Sequence, residues 1–248
     1  MRTSVTSMII ATATVVSTPA FAEDISYTVN DEAFTGYWAE AESPKGLVLI
    51  MHDWDGMTDY ERERADMLAE MGYNAFALDM FGYKTPTETV DHRRAATGAL
   101  YEDRERMRSL IKAGVDEALS RSDVSQMVVM GYCFGGAVAL EMARSEMADT
   151  ASGYATFHGG LTTPEGQTWQ GDEPPVLVMH GGADSSIKME DVATLATELE
   201  GAGTTYTIEV FSGAPHAFTV FGSDNYQERA DVASWESFNR FLAAQLPG

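Results

Sequence analysis

The apolar run Met127-Val128-Val129-Met130 stops at Gly131-Tyr132-Cys133-Phe134-Gly135-Gly136 and resumes with helical spacing in Ala137-Val138-Ala139-Leu140. This pattern predicts a strand, a tight turn and a helix. Gly131 and Gly135 bracket Cys133 as G-x-C-x-G. Lacking Cβ atoms, they permit a sharp strand-to-helix turn that thrusts the middle residue out at the sheet's carboxyl edge. A thiol at a helix N-terminus meets the positive end of the helix dipole, which favours the thiolate, the form of cysteine that attacks carbonyl carbon. The plainer alternative is a buried core cysteine beside a turn; the glycine spacing favours the nucleophile turn.

The flanking sequence alternates strands with helices. Residues 46–51, 74–78, 153–157, 176–180 and 205–211 are short, mostly apolar runs of strand length, as expected where both faces of a parallel sheet are covered. Helical patterns fill 58–71, with Thr58 as cap, much of 87–119, the stretch from the elbow to about Met147, 190–200 ending at Gly201, and 227–246. Residues 25–37 read as an antiparallel hairpin turning at Asn30-Asp31. The fold class is therefore α/β, a mainly parallel central sheet with helices on both faces.

Lys and Arg number 16 against 38 Asp and Glu, a formal net charge of −22. That acidity argues against nucleic acid and anionic membranes as partners. Arg2, the apolar stretch 8–16 and Ala20-Phe21-Ala22 as an A-x-A site form a secretory signal peptide over 1–22. The mature chain is expected to be one domain, 23–248, in the periplasm or the medium. No later stretch approaches the ~20 apolar residues of a spanning helix. The single cysteine excludes an intramolecular disulfide. His52, His92, His158 and His180 show no metal-ligand spacing and no second cysteine accompanies them, so no metal and no cofactor is expected.

A cysteine nucleophile needs a base, and the base needs a carboxylate to hold its tautomer. Asp184, after the strand 176–180, and His216, after the strand 205–211, follow Cys133 in the order nucleophile, acid, histidine, each in a loop at a strand end. The backbone N–H of Phe134 and one from the first loop, at Trp54, are the expected oxyanion donors. His158 leaves its strand at the same edge, as a pocket-lining or a structural histidine. The loop 79–84, with Tyr83, is placed to reach over the site, and Tyr132 adjoins the nucleophile.

The string Gly131-Tyr132-Cys133-Phe134-Gly135-Gly136, with the motifs around Asp184 and His216, resembles the dienelactone hydrolase family of the α/β-hydrolases, whose elbow carries cysteine where most of the superfamily carries serine. The resemblance extends from about Gly46 to about Leu246. It implies the α/β-hydrolase fold, the same Cys133, Asp184 and His216, the second oxyanion donor in the first loop, and a helical region over 87–119 that covers part of the pocket. It also implies that Asp53 matches a glutamate that holds the resting thiol in relatives, one methylene shorter here. Relatives that act on dienelactone clamp its carboxylate with arginines, one of them shortly after the catalytic histidine. Here His216-Ala217-Phe218-Thr219-Val220 has none; Arg93 or Arg94 is the candidate counterpart of the other, with a solvated helical face the favoured alternative for either. The missing clamp argues against the family's namesake substrate. The expected activity is cleavage of activated esters, lactones or thioesters through a thioester acyl-enzyme. The alternative is a non-hydrolytic protein on the same fold, using Cys133 as a redox-sensing or ligand-holding thiol.

Overall fold

Asn30 and Asp31 adopt positive φ, 48° and 65°, the two-residue turn whose twist suits antiparallel strands. They join β1 (Phe21–Val29) to β2 (Glu32–Glu40) in the computed structural model, which describes residues 21–247. The signal-peptide reading of 1–22 thus lies outside the described residues except for Phe21 and Ala22, which pair with Glu40 and Ala39.

Every residue of β3 (Leu47–Met51), β4 (Asn74–Leu78), β5 (Met127–Tyr132), β6 (Gly153–Phe157) and β7 (Val176–Gly181) is buried. With β8 (Tyr206–Phe211) they form an eight-stranded sheet in the order β1-β2-β4-β3-β5-β6-β7-β8. It is parallel from β4 to β8 and antiparallel at the β2 junction. The pleat sends alternate side chains to opposite faces. Leu47, Leu49, Met127 and Val129 meet α2 (Val90–Glu102), α3 (Arg104–Arg121), α4 (Phe134–Ala143) and α5 (Met189–Ala202). Val48, Ile50, Val128 and Met130 meet α1 (Asp59–Glu70) and α6 (Glu228–Gln245).

Two helix ends differ from expectation. The elbow helix stops at Ala143, short of Met147. Ser145 Oγ donates to Met142 O and accepts from Met147 N, at 2.8 and 3.1 Å, a local bonding pattern that competes with the helix. Helix α5 passes through Gly201 and ends at Gly203, whose φ of 86° supplies the left-handed terminus. The helical stretch after β4 is two helices, because Asp103 leaves helical geometry and its Oδ1 accepts the Arg106 N–H of the second at 2.9 Å.

Candidate active site

Cys133 lies between β5 and α4 with φ 50° and ψ −111°, a strained backbone for a residue with a side chain. Its N–H donates to Phe157 O at 3.1 Å, and its carbonyl accepts from Gly136 N and Gly160 N at 3.2 and 3.1 Å. The glycines are steric requirements. A Cβ on Gly131 would lie 2.1 Å from Gly135 O, and one on Gly135 would lie 2.1 Å from Met51 O. Helix and strand can close on the cysteine only because both are bare.

Loops after β7 and β8 bring two more groups to the thiol. His216 Nδ1–H donates to Asp184 Oδ2 at 2.8 Å, and His216 Nε2 lies 3.1 Å from Cys133 Sγ. The Asp184 side chain has no exposed surface, and its Oδ1 accepts the N–H groups of Ser186 and Ile187 at 2.8 and 2.9 Å. Burial raises the Asp184 carboxyl, but His216 and these N–H groups together hold it below its ordinary value. Burial likewise opposes charge on His216, yet hydrogen bonds and charge from Asp184 and Cys133 push its imidazole up to about 10. The arrangement favours an imidazolium beside the sulfur.

The first loop, after β3, is fastened from beneath. His52 Nε2 accepts Met80 N–H at 3.0 Å, so its Nδ1 carries the proton and donates to Asp53 O at 2.6 Å. Buried Glu61 closes a capping box with Thr58 and reaches Asp53 N at 3.5 Å. The backbone N–H groups of Trp54, in this loop, and of Phe134, at the first turn of α4, have no acceptor among the described residues. Trp54, Cys133 and His216 line a cleft of about 500 Å³ with Asp53, Ile187 and Asn225.

Of the accessory residues expected at the site, Asp53 reaches the cleft without bonding Cys133. Its Oδ1 accepts the Asp55 N–H at 3.0 Å, and the thiol's hydrogen-bond partner is His216. Burial first, then Asp55 and Glu61, hold the Asp53 carboxyl well above its usual range. Arg93 lies behind the loop, over the Trp54 ring at 5.6 Å and 3.7 Å from Asp55, and does not line the cleft. Arg94 is exposed on α2.

Two other expectations need correction, and for His158 the pocket-lining reading gives way to the structural one. Tyr132 falls on the α1/α6 face of the pleat, fully buried against Tyr60 and Phe157. His158 is also fully buried, behind His216 at 5.3 Å between ring centroids, with Nε2 at 2.8 Å from Thr219 Oγ1. Burial, reinforced by His216, lowers it well below the ordinary histidine value, so it is a neutral structural ring. Tyr83 is 83 % exposed and lines a separate hollow with the β1–β2 turn, because its N–H bonds Ala33 O. Ile187 and Asn225 carry no sequence signal; they reach the cleft through loop paths that only the folded chain defines. Among the described residues no three of His, Cys, Asp and Glu are grouped as metal ligands.

Comparison with known proteins places the chain among relatives of one family. The sequence profile described as the dienelactone hydrolase family matches residues 34–246. A carboxymethylenebutenolidase from Pseudomonas putida is 26% identical over 210 residues, covering 82% of this chain and 87% of that one. A solved dienelactone hydrolase-like promiscuous phosphotriesterase from metagenomic libraries superposes with a TM-score of 0.81 at 26% identity, over 91% of this chain and 98% of that one. A solved structure from Klebsiella pneumoniae subsp. pneumoniae, at 21% identity and TM-score 0.74 over 90% and 97% of the chains, shares the fold. The chain belongs to the dienelactone hydrolase family and is a hydrolase of the α/β class.

Proposed function

We propose that this hydrolase cleaves activated esters, enol lactones or thioesters, with Cys133 as nucleophile, His216 as acid–base and Asp184 as its orienting carboxylate. The observation that carries the proposal is the line from Asp184 through His216 to Cys133 Sγ, at 2.8 and 3.1 Å, on the wall of a cleft. The thiolate adds to the carbonyl carbon, and the carbonyl oxygen takes the electron pair as an oxyanion. The free N–H groups of Phe134 and Trp54 are the donors for that oxyanion. Collapse expels the leaving group, which takes the proton held on His216, and leaves a thioester on Cys133. His216, now neutral, removes a proton from water as the water adds to the thioester; the acid product departs and the thiolate–imidazolium pair is restored.

Sulfur sets the substrate class. The first tetrahedral adduct can expel either thiolate or the leaving oxygen, and thiolate leaves more readily than an ordinary alkoxide. Productive acylation therefore needs an enolate, a phenolate or another thiolate as leaving group. The carboxymethylenebutenolidases among the relatives support an ester and lactone class. The test is kcat/KM across acetates of falling leaving-group pKa, beside Cys133→Ala. A steep rise, abolished by the substitution, is expected. A flat series with acylation rate-limiting contradicts the argument from sulfur, and turnover by Cys133→Ala at the wild-type rate contradicts the nucleophile.

A further inference from the structure

Three arginines converge on one buried carboxylate at the far end of α4. The Glu141 side chain has no exposed surface. Arg108 Nε and Nη2 fill its Oε1 at 2.9 and 2.7 Å, Arg104 Nη1 reaches Oε2 at 3.1 Å, and Gln167 Nε2 is 2.9 Å from both oxygens. Arg144 is left with a 3.8 Å approach of Nη2 to Oε2 and a 3.0 Å hydrogen bond from Nε to Gln167. Its side chain is only 2% exposed, stacks on Trp169 at 5.0 Å, and leaves Nη1 without a partner among the described residues. A buried cation whose counter-charge is already shared is costly. Burial is the largest influence on Arg144 and, despite Glu141, pushes it down to about 10.

Arg104 and Arg144 line a groove of about 310 Å³ with Tyr101, Ala137, Gly160 and Ile187. Ile187 also lines the catalytic cleft, and the Gly160 N–H bonds the Cys133 carbonyl, so the groove adjoins the cleft. It follows α4 from Ala137 to the C-cap Arg144. Arg104 Nε is committed to Tyr101 O and Nη1 to Glu141, whereas Nη2 has no partner among the described residues, with the guanidinium held over the Tyr101 ring at 5.0 Å. Glu198 also acts on Arg144, but it bonds Thr163 and lines a separate hollow. Three guanidinium groups on one carboxylate leave positive charge beside this groove, in a chain whose net charge is −22. The leaving group must lie against His216, whose neighbours Pro215 and Ala217 line the cleft and not the groove. The groove is left for the acyl chain.

Resting on the cysteine-hydrolase reading above, we propose that the groove is a subsite for a carboxylate at the far end of the acyl chain, roughly 15 Å or three helical turns from the scissile carbonyl, bound by Arg104 and Arg144. The substrates are then activated half-esters or half-thioesters of elongated dicarboxylic acids.

The test compares p-nitrophenyl half-esters of straight-chain dicarboxylic acids with their methyl-capped analogues across a series of chain lengths. It uses the wild type, Arg104→Gln and Arg144→Gln at low and high salt. The wild type is expected to prefer the charged ester by about tenfold or more at the length that spans the groove. That ratio should shrink in salt and fall toward one in either variant. Charged and capped esters within about twofold at every length, or a preference untouched in both variants, overturns the proposal. Should the variants not fold, inhibition of capped-ester hydrolysis by the free dicarboxylate of matching length decides, and no inhibition overturns it. Hydrolysis of capped esters that needs Cys133 keeps the parent reading standing when the preference is absent; hydrolysis of neither ester removes that reading itself.

Discussion

His216 is where the site's charge balance is decided. Burial alone would leave its imidazole neutral, but Asp184 and Cys133 hold it up to about 10. A raised histidine contributes stability that is present below its ordinary value of 6.5 and lost as pH rises through about 10. In the proposed mechanism the same proton serves the leaving group, so the alkaline limb of kcat/KM is expected near about 10. Asp184→Asn keeps an oxygen for the Ser186 and Ile187 N–H groups but removes a charge that raises His216. The limb should move to lower pH, with kcat/KM down by roughly 10²–10⁴. Identical limbs in the two proteins contradict the assignment. The meeting of Cys133, His216 and Asp184 is legible in the sequence because each residue follows a strand and all such ends face one edge of the sheet. Tyr132 is not legible as a buried residue, and the sequence does not choose between the two readings of His158: one depends on which way the pleat points, the other on a φ of 41° after β6. Arg93 and Arg94 are adjacent in sequence, and only the helix's rotation separates the one over Trp54 from the exposed one.

At the level of elements, the β5–α4 turn is the feature the surrounding strands must accommodate. A methyl on Gly135 meets the carbonyl of Met51 in the neighbouring β3, so Gly135→Ala forces two backbone segments apart. A cost of about 1–3 kcal/mol or more is expected, read as a lower urea midpoint at unchanged slope. An unchanged midpoint contradicts the close approach. Apolar runs make the buried strands legible, and Thr58 with Glu61 makes the start of α1 so. Helix ends are less legible, because Gly201 and Gly203 are equivalent candidates until the chain's path selects the one at positive φ. At the end of α4, Ser145 draws the chain away four residues before the hydrophobic pattern ends.

Over the whole molecule, a parallel sheet gathers the loops after β3, β5, β6, β7 and β8 at one edge, where open α/β sheets place their ligands. Alternating strands and helices make that architecture legible; the order β4-β3-β5 across the sheet is a product of long-range pairing that local sequence does not encode. The gathering of loops matters only if Cys133 becomes acylated there. The most direct measurement is the intact mass of the protein quenched during turnover of an aryl ester, with the adduct mapped by peptide digestion. The account predicts one acyl group on the peptide carrying Cys133, released by hydroxylamine and absent from Cys133→Ala. Steady turnover by Cys133→Ala, or an acyl group on another residue that turns over at the catalytic rate, would contradict it.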